Sequence, residues 1–539
     1  MIQMDKIKYG LLRAIDLSGL GFLSPVVRLC TGEDPAKQTR DIARFIFLPI
    51  LAFLVFLWIW SVIAPKHKTK AGEVPTPSVV WDAGKGIWSF HQREAAKEKG
   101  FLTSAENRLA KLQQATRRLA EVEKLEATAK KQVEEVIVAS QDKFDAVVAP
   151  AKRAYEAKRE EYREHRIESA AALKEEAASL MDASPARREA FLGKVRATNR
   201  ISEAIKEELD QLKAEYEEAK EITFPEVKDA VKAATLLGEE KQFLVKYISM
   251  LGDNSREVKL EEAKSALEDA QEEFRTADSG DFYKLAASII SKEELRDTLA
   301  SSKYAKPWTL PKQIVRSILC AFTGFFIATL IAIPIGILCG LSPSFMAAVT
   351  PFIALFKPVS PLVWLPIVMI IVGGFMPEPD KHWLIVFMGK IPFIKDYQID
   401  PMFLSSAITV ALCSLWATLV NTALGVGSVD KDHMNVARIL RLGFAARLFK
   451  IVIPTALPLI FAGLRISLGV GWMVLVAAEI LSTSEGIGKF VNDMYTNGSS
   501  ESFAQMFVVV FIVGFIGMVL DRIMVFLQRL VSFDTAPAL

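Results

Sequence analysis

Two ionisable residues, Arg465 and Glu479, interrupt the apolar run Leu457–Leu481. Charged groups in such a run face a bundle interior or a water-filled path by default. They stand about 14 positions, or about 21 Å of helix, apart and so cannot pair within one helix. The other readings are snorkelling of Arg465 to the headgroups and, for Glu479, an interfacial anchor or a hydrogen bond to a neighbouring helix. A second group is the string KPVSPLVWLP at 357–366, where Pro358, Pro361 and Pro366 rule out a straight regular helix. Broken membrane helices occur where backbone is buried in protein or lines a cavity. Freed backbone N–H groups near Ser360 and Trp364 could there meet an anion in transit; the alternative is a kink that serves packing alone.

These residues need helices to hold them. Phe45–Ala64 is 20 uncharged residues, long enough to cross a hydrocarbon core of about 30 Å. It starts too far into the chain for a cleaved signal peptide. Further apolar runs at Ile314–Leu341, Ala347–Val372, Phe403–Leu424, Leu457–Leu481 and Phe507–Leu527 bring the expected spans to six. The segment 382–394 is too short and interrupted to span and reads as interfacial or re-entrant. Six spans put both termini on one side. Lys6, Lys8, Arg13, Arg28, Lys37, Arg40 and Arg44 fall on that side. So do Lys431, Arg438, Arg441, Arg447 and Lys450 between spans four and five. The positive-inside rule favours that side as cytoplasmic, with Lys66, Lys68 and Lys70 counting the other way.

Between spans one and two lies a polar insertion rich in Glu, Lys, Ala and Arg. Leu112, Leu119 and Val133 form a seven-residue row broken by Glu126; Ala115, Val122, Ala129 and Val136 form its companion. Ile205, Leu212 and Ala219 run beside Leu209 and Tyr216, and Leu260, Leu267 and Phe274 beside Ala263 and Ala270. Paired rows at this spacing make a coiled-coil seam. Ser184-Pro185, Phe224-Pro225 and Leu251–Asn254 punctuate it into several helices, an antiparallel bundle or long hairpin. The bland reading is a solvated charged linker. Acids balance bases and aromatics are sparse there, which argues against nucleic acid. Cys30, Cys320, Cys339 and Cys413 leave the insertion free of cysteine, so no disulfide framework is visible. His67, His91, His165, His382 and His433 show no metal-binding grouping.

No phosphate-binding G-x-x-x-x-G-K-[ST] string occurs, and GIGKF at 486–490 lacks its spacing and hydroxyl. Nucleophile-elbow and zinc spacings are also absent, so no catalytic residue is assigned. If the protein uses ATP, another subunit hydrolyses it.

The basic stretch NVARILRLGFAARLFKIVIPTALP at 435–458 resembles the "EAA" loop of bacterial ABC importer permeases, E-A-A-x3-G-x9-I-x-L-P. Asn435 stands for the acid, Val436 for the first Ala, Arg441 for the Gly and Ile453 for the Leu. Ala437, Ile451 and Pro454 are kept. Gly443, two residues after Arg441, is available to supply the turn. The strings KPVSPLVWLPI, SLWATLVNTALGV, IPTALPLIFAGLRISLG and WMVLVAAEIL, the last containing Trp472, resemble permeases for nitrate, bicarbonate, taurine and other sulfonates. VPTPSVVW at 74–81 resembles the segment after the first span in that family. The insertion and the stretch 377–400 interrupt the pattern.

The resemblance implies an all-α membrane protein with six transmembrane helices of the type I importer kind. A long coiled-coil or bundle domain would lie outside the membrane. The expected domains are a cytoplasmic segment 1–42, span one at 43–64, a periplasmic insertion 65–312, a permease core 313–531 and a tail 532–539. The coupling loop 428–456 would present Asn435, Val436, Ala437, Arg438, Leu440, Arg441, Leu442, Gly443, Ile451 and Pro454. Its apolar face, Val436, Ile439, Leu440 and Gly443, would meet an ATPase. Pro358, Ser360, Pro361, Trp364, Arg465, Trp472 and Glu479 would belong to the pathway. The implied partners are a second copy, two cytoplasmic ABC ATPases carrying ATP and Mg, a periplasmic binding protein and lipid. No cofactor or metal is expected on this chain. A membrane-anchored coiled-coil adaptor is the competing reading; an anchor needs neither a Pro-broken span nor the loop motif.

Overall fold

Proline placement explains much of the helix architecture. The computed structural model describes residues 10–12, 15, 21–69, 72–180, 184–220, 224–277, 281–390, 397 and 399–531. Lys6, Lys8, Arg13, Lys70, residues 391–394 and the tail 532–539 lie outside them. A short helix α1 (Ser24–Cys30) precedes α2, a continuous helix over Pro35–Lys66. Within α2 the coil widens to a π turn at Ala43–Phe47, just before Pro49. A proline ring collides with the carbonyl four residues back, and a wider turn moves that carbonyl aside.

The chain divides into two units, the described residues of Met1–Glu94 with Lys306–Leu539, and Ala95–Ala305. The second is narrower than the expected 65–312; residues 65–94 and 306–312 belong with the first. Helix α3 (Pro77–Phe101) follows a two-residue antiparallel ladder, Lys68–Thr69 with Gly72–Glu73.

Within Ala95–Ala305 the backbone of the unit is α4 (Ala105–Ala178), 74 residues and about 110 Å of helix. Two successive helices cover it, α5 (Pro185–Lys220) on its second half and α6 (Pro225–Leu251) on its first. Both begin at the expected prolines. Tyr155 stacks on Tyr216 at 5.7 Å and Lys158 pairs with Glu208 at 2.5 Å, so α4 and α5 run antiparallel. Arg118 with Glu240 and Lys143 with Glu226 show the same sense for α6. A second hairpin, α7 (Arg256–Thr276) and α8 (Phe282–Ser301), starts from a Ser255 cap and closes with Phe274 edge-on to Phe282.

The row that Glu126 breaks is still a seam. Ala115, Val122 and Ala129 are buried, and Glu126 is buried among them. Its two carboxylate oxygens meet Lys130 at 2.7 Å and Lys241 of α6 at 3.1 Å. One polar position in an apolar seam penalises other registers, because a slip would bury the carboxylate without its partners.

The first unit is a helical bundle. Five described helices are long and apolar enough to cross a membrane: α2, α9 (Leu310–Leu341), α13 (Pro401–Gly427), α15 (Phe444–Ser482) and α17 (Ser500–Val531). The broken pair α10 (Pro343–Phe356) and α11 (Pro361–Phe375), bent by 100°, makes a sixth when counted as one span. The remaining helices are short: α12 (Trp383–Gly389), within the expected interfacial segment, α14 (Lys431–Ile439) and α16 (Ile487–Asn497).

Helix α13 is central, packed between α9 and α15. Lipid supplies no hydrophobic drive between helices, so close backbone approach through small residues takes its place. Gly336 and Gly340 of α9 lie against Leu419, Thr422, Ala423 and Val426 of α13, and Gly463 of α15 lies against Ala417, Thr418 and Asn421. A Cβ on Gly336 would stand 2.7 Å from Thr422 Cβ and 2.8 Å from the Leu419 carbonyl oxygen. Polar side chains reinforce the seam: Ser467 Oγ is 2.7 Å from Thr418 Oγ1 and donates to the Ser414 carbonyl at 2.5 Å.

Gly336→Val should destabilise the detergent-solubilised chain by about 1–3 kcal/mol, read as a lower thermal midpoint. Gly469→Ala, where a Cβ meets nothing within 4 Å, should leave it unchanged. Separately, hydrogen bonds from Lys130 and Lys241 hold the Glu126 carboxyl below its ordinary 4.5. A depressed folded-state value contributes stability above 4.5 that is lost as pH falls through it. Helicity of the insertion, followed by circular dichroism, should therefore weaken on acidification below that range, and Glu126→Gln should flatten this dependence.

Candidate functional site

The basic stretch folds as a helix–elbow–helix. Asp432 lies in the first turn of α14, and the helix ends at Ile439. The chain then reverses at Arg441, whose φ is +48°. The Leu440 N–H bonds to Val436 O and the Leu442 N–H reaches back five residues to Ala437 O, both at 3.0 Å. That is the Schellman closure, with a left-handed residue where glycine normally sits. Gly443 does not supply the turn, since its φ of −62° and ψ of 163° are ordinary extended backbone that caps the next helix. Arg441 makes the turn itself, at the steric cost of a Cβ in the left-handed region.

Past the elbow, Phe444–Arg447 opens α15, and a π turn at Leu448–Val452 precedes Pro454. Lys450, whose carbonyl the Pro454 ring would strike, lies in that turn. Ile451 and Pro454 are half-buried. The loop is anchored by Ala437, which is buried, and by Met434 and Leu448, which pack against the core that includes Val452. The opposite side is bare: Val436, Ile439 and Leu440 are 51, 80 and 63% exposed, with Phe444 and Phe449 exposed beside them. Asn435, Arg441 and Gly443 are exposed and Leu442 half-buried; the side chains of Lys431 and Arg438 lie outside the described residues.

At the far end of α15, about 26 residues or about 39 Å from Ile453, a buried polar cluster ties four segments together. Glu479 is 1% exposed. It accepts from Ser317 Oγ of α9 at 2.6 Å and from the Gly488 N–H at 2.9 Å. Ser317 Oγ in turn accepts from the Ile487 N–H at 2.9 Å. Gly486 has no room for a Cβ against the Glu479 carboxylate. Beside it Arg316, also 1% exposed, donates to Ser484 Oγ at 2.7 Å, to Asp400 at 2.9 Å and to the Glu485 carbonyl. Asp400 also caps α13 through the Phe403 N–H at 2.7 Å. Glu485 accepts from Gln313 at 3.3 Å and pairs with Lys489.

Glu479 therefore bonds to a neighbouring helix, one of the alternatives open from sequence. Arg465 makes a bidentate pair with Asp521 of α17, at 2.5 and 3.0 Å, with both side chains partly exposed. Trp472 is buried and donates to the Val513 carbonyl at 3.1 Å. These three hold helices together. Pro358, Ser360, Pro361 and Trp364 gather at the break between α10 and α11, where Ser360 caps α11 through the Leu362 N–H at 3.3 Å. Sequence reasoning missed Arg316, Asp400, Glu485 and Asp521. Arg316 and Asp521 carried a readable signal, a charge inside an apolar run. Asp400 and Glu485 lie between runs and carried none. Among the described residues no metal-type cluster of His, Cys, Asp and Glu occurs.

Replacing Arg441 tests the elbow. Arg441→Gly should stabilise it by about 1 kcal/mol and slow exchange of the Leu442 amide about fivefold. Arg441→Val should speed that exchange.

Comparison of the sequence with known proteins finds a family. Residues 332–533 match the family described as "Binding-protein-dependent transport system inner membrane component". The chain is 31% identical over 220 residues to the nitrate import permease protein NrtB of Synechococcus elongatus, covering 41% of this chain and 69% of that protein. It is 33% identical over 218 residues to the bicarbonate transport system permease protein CmpB of the same species, covering 40% and 68%. It is 32% identical over 195 residues to the taurine transport system permease protein TauC of Escherichia coli, covering 36% and 61%. With its broken third span, its helix–elbow–helix loop and these relatives, the chain belongs to the binding-protein-dependent ABC importer permeases.

Proposed function

We propose that this chain is the membrane-spanning subunit of an importer for a small oxyanion of the nitrate, bicarbonate or sulfonate class, set in a bacterial inner membrane. Separate cytoplasmic ATPases drive it and an external binding protein supplies it. The observation that carries this reading is the coupling loop: an amphipathic helix anchored by Ala437, with Val436, Ile439 and Leu440 exposed at the bundle end. An apolar helix face of that kind suits a groove on a partner. By span parity the insertion lies on the opposite side, outside the cytoplasm. A second copy of the chain completes the pathway, because polar backbone at a broken span has to be covered by protein or line an aqueous cavity.

The packing suggests how nucleotide-driven motion crosses the membrane. Helix α14 follows α13 closely in sequence and leads through the elbow into α15. The Ser467–Thr418–Ser414 bonds and the Gly463 contact lock those two helices to each other. Closure of the ATPases would move α13 and α15 as one lever rather than bending either. The polar cluster at the far end of α15 then takes up the movement on the side where the anion arrives.

The test is the double substitution Ile439→Asp with Leu440→Asp. Each apolar side chain lost from a groove removes about 1.5–3 kcal/mol, so the pair should weaken ATPase binding by more than about a hundredfold. The ATPases should no longer co-purify and anion uptake should stop, while the variant still inserts in the membrane. An intact, transporting complex would sink the coupling role.

A further inference from the structure

Among the described residues, the buried donors of the bundle that lack an acceptor include two indoles. Trp364 Nε1 of α11 and Trp416 Nε1 of α13 are shielded from outside and make no hydrogen bond. Buried polar groups are nearly always paired, so each exception calls for an explanation. Both indoles pack on the same ring: Phe356, the last residue of α10, lies 5.7 Å from Trp364 and 6.3 Å from Trp416 between ring centres. The next residue is Lys357, exposed in the elbow of the 100° bend. Lys357 is the one charged residue from 342 to 377. An ionisable side chain within a span marks a path for substrate or ion by default.

The chemistry of this group is one-sided. An ammonium and two indole N–H groups donate and do not accept. No Asp or Glu occurs from 342 to 377. Nothing in the elbow's own sequence would neutralise a cation, and three donors await an acceptor.

We propose that Lys357, Trp364 and Trp416 form an anion-coordinating station on the transport path, covered by Phe356 in this conformation. This assignment rests on the importer reading above and narrows it. The station fits a small inorganic oxyanion, whose oxygens accept from all three donors. It disfavours a zwitterion, whose ammonium would meet Lys357 with no acid beside it. Withdrawal of Phe356 as the elbow moves uncovers the two indoles that pack on it. Trp416 enters through α13, so the station is attached to the lever that the coupling loop drives.

The assembled complex, reconstituted in liposomes with its ATPases and binding protein, separates this inference from the reading beneath it. Wild-type protein that imports none of nitrate, bicarbonate or taurine defeats the importer reading itself. Given nitrate or bicarbonate import, Lys357→Gln, Trp364→Phe and Trp416→Phe should each lower the saturated uptake rate about tenfold. The half-saturating concentration, which the binding protein sets, should not change, and Lys357→Arg should retain most of the rate. Wild-type rates in all three variants would overturn the station, as would a shift confined to the half-saturating concentration. Selective import of taurine over the inorganic anions would overturn the assigned ligand class.

A measurement on unsubstituted protein guards against misfolded variants. The chain has nine tryptophans. Labelled with 5-fluorotryptophan and turning over ATP, it should show two fluorine resonances that move with potassium nitrate and stay still with taurine. Resonances indifferent to nitrate would count against the station.

Discussion

Close packing of α13 between α9 and α15 is the constraint on which the first unit depends. In lipid a leucine-rich surface gains little by meeting another, so association has to come from backbone proximity and hydrogen bonds. Glycines 336, 340 and 463 allow that approach, and Thr418, Ser414 and Ser467 supply the bonds. The consequence reaches function. Two helices joined this tightly do not slide past one another, which suits them to the lever role proposed for them.

Several charged residues of the bundle form joints, and one, Lys357, is proposed for the path. Arg316, Asp400, Glu479 and Glu485 make a hydrogen-bonded joint at one end of the bundle, and Arg465 with Asp521 makes another. A buried ion is costly unless paired, and the buried Arg316 meets Asp400; the Arg465–Asp521 pair is partly exposed. Such joints resist relaxation and keep helix ends in register. Lys357 differs in kind: it sits at a helix break, exposed, in a stretch of sequence without acids. The distinction between a charge that is tied and a charge that is offered came from contacts.

The coiled-coil unit illustrates the same limit. Its heptads and its prolines at 185 and 225 were plain in the sequence, and so were the helices they produce. Glu126 looked like a flaw in the row because its second partner, Lys241, is more than a hundred residues away. The pairing order, with one long helix covered by two shorter ones, was equally invisible, since heptad rows specify that a seam exists and not which helix completes it. Arg441 is the local counterpart. The motif spacing locates the elbow, but an arginine in the left-handed region runs against its intrinsic preference, and by residue type Gly443 is the better candidate for the turn.

What the sequence determined by itself was whatever depends on near neighbours: the apolar runs and their number, the broken third span, the helical insertion, and the loop whose spacing marks the family. Hydropathy, proline geometry and seven-residue periodicity act within a few turns of chain, so they can be read along one line. Tertiary structure decided what depends on meetings across the chain. It turned Arg465, Trp472 and Glu479 into interhelical bonds, made α13 the centre of the bundle, and left Trp364 and Trp416 without acceptors around Phe356. A side chain's role follows from whether its charge or donor is satisfied, and that is settled only when distant segments pack together.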